Sequence, residues 1–324
     1  MLSICMIVRN EAKELPRLLS NVASIADEIV VVDTGSTDRS KKILSKHPKV
    51  SLHTFPWNSN FADARNHALS KAKGDWILVL DADERLADPK SILPLLEQGD
   101  VDAYDIIMHN LQPEGSLTKI EKSRLPRLFR NKGYRYEGAI HEQISPSLSA
   151  LGARRTHGDV VIVHHGYTQD SVQGGDSRFT RNLAILEQEI EKNPQDFYYV
   201  YHLALMFKTR DPAKSKELFI QALELGKTTM PMPLKAQSYM RLAQLALEGE
   251  DHAQVVNMSK QALQYEPDNV IAKVCLLSSL CAINAFAQAA VVIDDVIAHH
   301  LEEVGNPQDF VDLHNQLTQL GLIQ

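Results

Sequence analysis

Short apolar runs alternate with amphipathic stretches over residues 1–90, and each apolar run ends in polar residues. The runs at 2–8, 30–32 and 76–80 are rich in Val, Ile and Leu, which is typical of strands buried on both faces of a sheet. The stretches at 12–23 and 60–72 place apolar residues at helical spacing. This alternation predicts a doubly wound α/β domain with a mainly parallel sheet and right-handed crossovers.

The pattern changes after residue 176, where strand-like runs give way to Ala and Leu at helical spacing. An amphipathic helix is predicted at 178–192, and pairs of helices then recur. The second and third pairs are offset by about the 34 residues of a tetratricopeptide repeat, which they resemble; generic packing of helical hairpins is the alternative. We therefore predict two domains, an α/β domain over 1–175 and an all-α domain of tetratricopeptide-like repeats over 176–324.

Carboxylates follow two of the predicted strands at the point where each strand ends. Asp81 and Asp83 come directly after the run at 76–80, and Asp33 follows the run at 30–32. Open parallel sheets bind ligands at the carboxyl ends of their strands, and hard divalent cations prefer oxygen ligands. These acids therefore indicate a Mg²⁺ or Mn²⁺ site that bridges to phosphate oxygens. An ordinary strand-to-loop transition with solvated acids is the alternative.

Four short motifs occur in a fixed order in this part of the chain. They are Ile-Val-Arg-Asn-Glu at 7–11, Val-Val-Asp-Thr-Gly-Ser-Thr-Asp at 31–38, Ala-Arg-Asn-His-Ala at 64–68 and Leu-Asp-Ala-Asp-Glu at 80–84. In this order they resemble the family 2 glycosyltransferases with the GT-A fold, strongly over 1–90 and more weakly over 120–170. The resemblance implies a nucleotide-sugar-binding α/β domain whose Asp-x-Asp strand end binds a divalent metal on the donor's diphosphate.

The resemblance also implies roles for the acids at the strand ends. Asp81 and Asp83 would flank the diphosphate of the donor, with Asp83 as the direct metal ligand. Asp33 would contact the nucleotide base or ribose. Because Asp33 resembles the acid on the uracil side of family members, UDP is the preferred nucleotide, with dTDP and GDP left open.

Three further residues in the matching motifs are implied as donor-binding residues. Arg9 and Glu11 would line the nucleotide pocket, and Arg65 would lie near the diphosphate. For Glu11 the alternative is an acid that simply favours the first turn of a helix. For Arg65 the alternative is an exposed helical arginine.

Glycosyl transfer also needs a group that takes the proton of the acceptor, and the stretch 134–144 supplies candidates. Similar family members carry a basic segment followed by His-Glu, so we expect Glu142 to be the general base, with His141 as its orienting partner or substitute. Glu137 is the competing carboxylate, and a strand-end pair without chemistry is the alternative. Arg127, in the preceding basic segment, suits the donor's phosphates through its planar fork. Direct displacement would invert the anomeric carbon, as the resemblance implies.

A further strand-like run at 160–163 ends in His164 and His165. Some GT-A enzymes complete the metal site with a histidine from this part of the fold. Adjacent residues of a strand point to opposite faces, so at most one of the two would reach the metal. We expect His164 to be that ligand, with His165 left open.

Charge, hydropathy and cysteine content limit the setting. The net charge of −7 argues against nucleic acid as a partner. The chain has neither an apolar stretch long enough for a transmembrane helix nor a basic segment before an apolar core at its start, so no membrane span or secretory signal is expected. The three cysteines lie in apolar runs and are expected to be reduced, which favours a cytoplasmic location.

Together these observations predict a metal-dependent glycosyltransferase, inverting, with a nucleotide-sugar donor and a peptide, protein or glycan acceptor. A similar two-part arrangement occurs in bacterial enzymes that glycosylate peptides or proteins, so the helical repeats would hold such an acceptor or form a homodimer. The alternative is a catalytically inactive nucleotide-binding scaffold for protein–protein interaction. An aspartate-nucleophile phosphatase is disfavoured because its acid pair ends the first strand, whereas Asp81 and Asp83 end a later candidate strand.

Overall fold

The computed structural model describes residues 1–114, 117–164, 175–304 and 306–322. It divides into two compact units, Met1–Ile185 and Leu186–Gln324. The division lies ten residues beyond the predicted boundary at residue 175, and it falls inside a helix. The first part of that helix therefore belongs to the first unit.

One sheet of eight strands forms the centre of the described part of the first unit. In chain order the strands are β1 (Leu2–Val8), β2 (Glu28–Asp33), β3 (Val50–Thr54), β4 (Trp76–Val79), β5 (Glu84–Leu86), β6 (Ala103–Glu114), β7 (Leu117–Arg130) and β8 (Arg155–His164). Their order across the sheet is β3-β2-β1-β4-β7-β6-β8-β5. β7 and β5 run antiparallel to their neighbours, and the other neighbouring pairs are parallel. The predicted α/β class and mainly parallel sheet are confirmed.

Apolar layers cover both faces of this sheet. The helices are α1 (Leu15–Val22), α2 (Ser40–Leu44), α3 (Phe61–Leu69), α4 (Leu93–Leu96), α5 (Ser145–Ala150) and α6 (Gly175–Lys192). Successive side chains of β1 alternate between the layers: Ile4 and Met6 pack in the layer that includes α1, and Cys5 packs in the layer that includes α3. The start of α3 is fixed by Asn60, whose Oδ1 accepts the backbone N–H of Asp63 at 3.0 Å.

The second unit consists of helices in its described residues. They are α7 (Phe197–Phe207), α8 (Pro212–Leu225), α9 (Met232–Glu248), α10 (His252–Tyr265), α11 (Val270–Ala282), α12 (Phe286–His299) and α13 (Pro307–Gln319). Each helix in the series from α7 to α13 packs against the next, and fully buried alanines such as Ala243 and Ala262 allow close approach. The predicted region of tetratricopeptide-like helices is confirmed. None of the helices in the described ranges is long and apolar enough to cross a membrane.

Candidate active site

The carboxyl ends of β1, β2, β4 and β8 lie at one edge of the sheet, because these four strands run in the same direction. A cleft of about 360 Å³ opens at this edge. It is lined by eight of the ten predicted site residues, namely Arg9, Glu11, Arg65, Asp81, Asp83, His141, Glu142 and His164. Asp33 and Arg127 are not among its lining residues. The fold thus brings these eight residues from five separate segments into one cavity.

Arg65 joins two carboxylates on one wall of the cleft. Its Nη2 donates to Oδ1 and Oδ2 of Asp81 at 2.9 and 3.2 Å, and its Nε donates to Oε1 of Glu142 at 2.5 Å. Burial alone would lower the pKa of the Arg65 guanidinium, but Asp81 and Glu142 hold it above its ordinary value. Arg65 is only 8% exposed, so the alternative of an exposed helical arginine is wrong.

Arg127 contacts the same acidic loop from the other side. Its Nη2 donates to Oε1 of Glu84 at 2.8 Å and lies 3.8 Å from Oδ2 of Asp81. Glu84 is 2% exposed, and its Oε2 accepts the backbone N–H of Asp81 at 2.8 Å. Burial raises the pKa of Glu84, while Arg127 opposes that shift. Arg127 therefore supports the loop that carries Asp81, and it lines a neighbouring cavity of about 310 Å³.

Asp83 and His164 contact each other in the cleft. Oδ2 of Asp83 lies 3.2 Å from Nε2 of His164, and Nδ1 of His164 lies 3.1 Å from Oδ1 of Asn110. The hydrogen bond to Asp83 raises the pKa of His164, against the effect of burial. Asn110 is the residue paired with His164 in the register of β6 and β8, which places its side chain behind the imidazole. The other candidate, His165, lies outside the described residues.

The Asp83–His164 pair has the chemistry of a partial metal site. A carboxylate oxygen and an imidazole nitrogen suit a divalent cation, and Asn110 would hold the imidazole in a fixed orientation. In the part of the chain that the structure describes, no group of three or more His, Cys, Asp or Glu side chains is arranged to hold a metal. The pair alone would supply two ligands to such a cation.

Glu11 is a further acid among the lining residues of the cleft. Burial raises its pKa to about 7, and the charge of Asp83 adds to the shift. Helix α1 begins only at Leu15, so Glu11 precedes it and does not lie in its first turn. The backbone N–H of Glu11 instead donates to Oγ of Ser40 at 2.8 Å, which ties the end of β1 to the start of α2. Arg9, two residues earlier, lines the cleft and is exposed.

Asp33 shapes the loop after β2. The side chain is 1% exposed, and its Oδ1 accepts the backbone N–H groups of Gly35 and Ser36, each at 3.0 Å. Lys41 lies 3.2 Å from the same oxygen. Burial would raise the pKa of Asp33, but the bonds from Ser36, Gly35 and Lys41 lower it. Oδ2 is buried without a hydrogen-bond partner among the described residues, so this acid keeps one unused acceptor.

The two candidate bases differ in position. Glu142 lies in the cleft with its side chain 12% exposed, whereas Glu137 is exposed and is not a lining residue. The backbone of Glu137 pairs with Gln143 through two hydrogen bonds of 2.9 Å. His141 between them has a left-handed backbone, with φ of 55°, and an exposed side chain. The geometry therefore favours Glu142 over Glu137.

Several lining residues are not predicted from the sequence. They are Trp57, Phe61, Ile140, Arg181 and Asn182. The rings of Trp57 and Phe61 meet edge to face with centroids 4.8 Å apart. In the sequence, Trp57 and Phe61 flank a short polar stretch just before the motif at 64–68, and this pattern could have indicated that they line the cleft. Arg181 and Asn182 belong to α6, and no comparable sequence pattern indicates that they line the cleft.

Residues 3–165 match the family model for Glycosyl transferase family 2, which covers half of the chain. The chain belongs to this family. The predicted family, and with it a glycosyltransferase domain with the GT-A arrangement of sheet and helices, are confirmed. The family match ends close to the end of β8, before α6 begins.

Relatives match beyond this domain. The chain is 36% identical over 257 residues to a TPR repeat-containing protein of Synechococcus elongatus, covering 76% of this chain and 60% of that protein. It is 26% identical over 216 residues to glycosyltransferase SunS of Bacillus phage SPbeta, covering 63% and 50%. The chain thus spans between half and two thirds of the length of these relatives. A crystal structure of S. aureus TarS 1-349 is similar with a TM-score of 0.46 and 16% identity, covering 83% of this chain and 92% of that one.

Proposed function

We propose that this protein is a metal-dependent, inverting glycosyltransferase that moves a sugar from a nucleotide-sugar donor, with a UDP-sugar preferred, to a peptide or protein acceptor. The observation that carries the proposal is the convergence of Asp81, Asp83, His164 and the Arg65–Glu142 pair in one cleft at the strand ends. Membership of the family supports the donor class. The preference for UDP depends on the sequence resemblance at Asp33.

On the donor side, Asp83 and His164 are the residues that would hold a divalent cation. Such an ion would act as a Lewis acid on the diphosphate leaving group. Asn110 orients the imidazole, and Arg65 and Arg127 keep Asp81 in place beside the diphosphate. Burial would raise the pKa of Asp81, but Arg65 and Arg127 hold it below its ordinary value, so the carboxylate is ionised at neutral pH.

On the acceptor side, Glu142 is the residue that would take the acceptor's proton. Its bond to Arg65 fixes the carboxylate in the cleft and leaves Oε2 for the acceptor. General base catalysis of this kind contributes roughly 10²–10⁴ in rate. Attack from the side opposite the diphosphate inverts the anomeric carbon, and no covalent intermediate on the protein is required.

The helical unit supports a peptide acceptor. On α9, Arg241 Nη1 donates to Oε1 of Gln244 at 3.0 Å, and Lys208, directly after α7, donates to the same oxygen at 3.4 Å. Neither cation has an ion-pair partner within 4.0 Å among the residues that the structure describes. Two cations that share one neutral acceptor favour a ligand with carboxylates, such as an acidic peptide. Dimerisation through these helices stays a prediction.

A thermal-shift panel tests the proposal. The full chain is heated with UDP, GDP, dTDP or CMP and the corresponding nucleotide sugars, in Mn²⁺, Mg²⁺ or EDTA. A ligand at a hundred times its dissociation constant stabilises the native state by about 2.7 kcal/mol. For a unit of this size that free energy corresponds to roughly 5–10 °C. We expect such a shift with one nucleotide sugar and its loss in EDTA.

Turnover separates the enzyme from the scaffold. The donor that binds is incubated with the protein, and release of the nucleoside diphosphate is followed with and without a library of acidic peptides. Release that depends on metal and increases with peptide supports the proposal. No shift with any nucleotide would contradict it, and a shift without any release would favour the inactive nucleotide-binding scaffold.

A further inference from the structure

An arginine of α6 lies in the cleft although it falls outside the family match. Arg181 and its neighbour Asn182 are lining residues, and both belong to the first unit. The family match ends at residue 165, sixteen residues before Arg181. The cavity is therefore completed by a helix that the family domain does not include.

Arg181 differs from the other buried arginines of this region in what it contacts. Its Nε and Nη2 donate to Oδ1 of Asn182 at 3.0 and 2.9 Å, and its Cζ lies 5.2 Å from the centre of the Phe61 ring. Within the described ranges no carboxylate lies within 4.0 Å of its guanidinium. Arg65 and Arg127, in contrast, are each paired with acids. A half-buried guanidinium with only a neutral acceptor is incompletely neutralised.

The charges near Arg181 are of the same sign. Burial lowers its pKa, and the nearby Arg178 and Arg9 lower it further. Asp83 and Glu11 are lining residues of the same cavity. The lining of the cleft thus combines two arginines, Arg9 and Arg181, with acids that include Glu11 and Asp83. An anionic ligand that binds together with a cation would match both kinds of charge.

We infer that Arg181 binds the diphosphate of the donor and makes the cleft selective for nucleoside diphosphates over monophosphates. The inference rests on the proposed function. The planar fork of a guanidinium can donate two parallel N–H bonds to two phosphate oxygens at once, whereas a lysine binds phosphate as a point charge without this fixed geometry. Stacking on Phe61 holds the fork in the cavity, and Arg9 and Arg178 add positive potential. Helix α6 is then part of the donor site.

Isothermal titration calorimetry of the full chain tests this assignment. UDP, GDP and dTDP, their monophosphates and the free nucleosides are titrated into wild type, Arg181→Gln, Arg181→Lys and the control Arg17→Gln. Arg17 is an exposed arginine of α1 that does not line the cleft. We expect Arg181→Gln to weaken the diphosphate about 10- to 30-fold, in the range of a charge-assisted hydrogen bond, and to leave the nucleoside unchanged. Arg181→Lys should fall in between, and Arg17→Gln should bind as wild type does.

The outcomes separate the inference from the proposed function. If wild type binds a nucleoside diphosphate and Arg181→Gln binds it equally well, the inference is wrong and the function stands. Equal losses for diphosphate and nucleoside would also overturn it, because Arg181 would then act on the shape of the cleft. If wild type binds no nucleoside diphosphate, the proposed function fails first. Should Arg181→Gln not fold, a diphosphate affinity of Arg181→Lys equal to wild type would overturn the role of the fork.

Discussion

Asp102 and Glu11 are both carboxylates of the first unit, but their surroundings shift their pKa values in opposite directions. Oδ1 of Asp102 accepts from Nζ of Lys132 at 2.7 Å, and Oδ2 accepts from the backbone N–H of Arg154 at 2.9 Å. The bonds from Lys132 and then Arg154 lower the pKa of Asp102 to about 2. Burial and the neighbouring Asp83 raise the pKa of Glu11 to about 7. Asp102 is neutralised by cations of the same chain, whereas Glu11 lies near acids that carry the same charge.

The difference shows which charged sites need a ligand. The Asp102 cluster, formed by Asp102, Lys132 and Arg154, contains its own counter-charges and stabilises the native state. In the cleft, Glu11 and Asp83 are like charges that lie close together, and Arg181 has no carboxylate within 4.0 Å among the residues that the structure describes. Perturbed groups that face one cavity are typical of functional sites. The following variants test whether the two sites behave this differently.

Glu142→Gln should produce the largest effect. Gln keeps an oxygen for Arg65 but cannot take a proton, so release of nucleoside diphosphate from the donor should fall by about 10²–10⁴-fold while donor affinity stays unchanged. A coupled assay measures the release and calorimetry measures the affinity. Glu137→Gln is the matched control, since Glu137 is exposed and outside the cleft, and it should turn over as wild type does. Loss of donor affinity in Glu142→Gln would contradict the role of base.

Asp83→Asn should weaken the metal-dependent binding of the donor. With the carboxylate gone, His164 would be left as the remaining side chain of the pair, and donor affinity in Mn²⁺ should fall by about 10- to 100-fold, the range for changes around metal sites. In EDTA the variant and wild type should bind equally. Asp159→Asn, at a 96% exposed side chain, is the control and should not change either affinity. An equal loss with and without metal would show that Asp83 acts on the donor directly.

Many residues of this cleft could be predicted because one local sequence pattern determines their position at the ends of strands. An apolar run followed by an acid specifies both a buried strand and a polar group at its carboxyl end, and it correctly indicates the edge of the sheet where Asp33, Asp81 and Asp83 lie. His164 follows from the same pattern on β8. These features are local, so they do not depend on how distant segments pack.

The remaining features depend on pairing between distant segments. Asn110 faces His164 because of the register between β6 and β8, and a shift of one residue would send it to the other face. The resemblance places Arg65 near the diphosphate, which stays a prediction, but it does not show that the packing of α3 buries this side chain between acids from two other segments. Arg181 lies on a helix whose sequence pattern gives no sign that it lines the cleft. Such contacts are set by tertiary structure.

Asp102→Asn should produce the smallest effect, and on stability alone. Asn resembles the protonated carboxyl, so the variant loses the ion pairs, and the free energy of unfolding at pH 7 should fall by about 1–2 kcal/mol once screening of the half-exposed Lys132 and Arg154 is included. Urea unfolding measures the loss. Asp100→Asn, at a fully exposed partner of Arg154, is the control and should cost less than about 0.5 kcal/mol.

The pH dependence of this loss has a defined sign. The folded pKa of Asp102, about 2, lies below its unfolded value of 3.8. Its stabilisation is therefore fully present above pH 3.8 and decreases as the pH falls towards 2. The difference between wild type and Asp102→Asn should stay constant from pH 7 to pH 5 and shrink below about pH 4. A loss independent of pH would mean that packing, and not charge, explains this site, and the contrast with the cleft would then disappear.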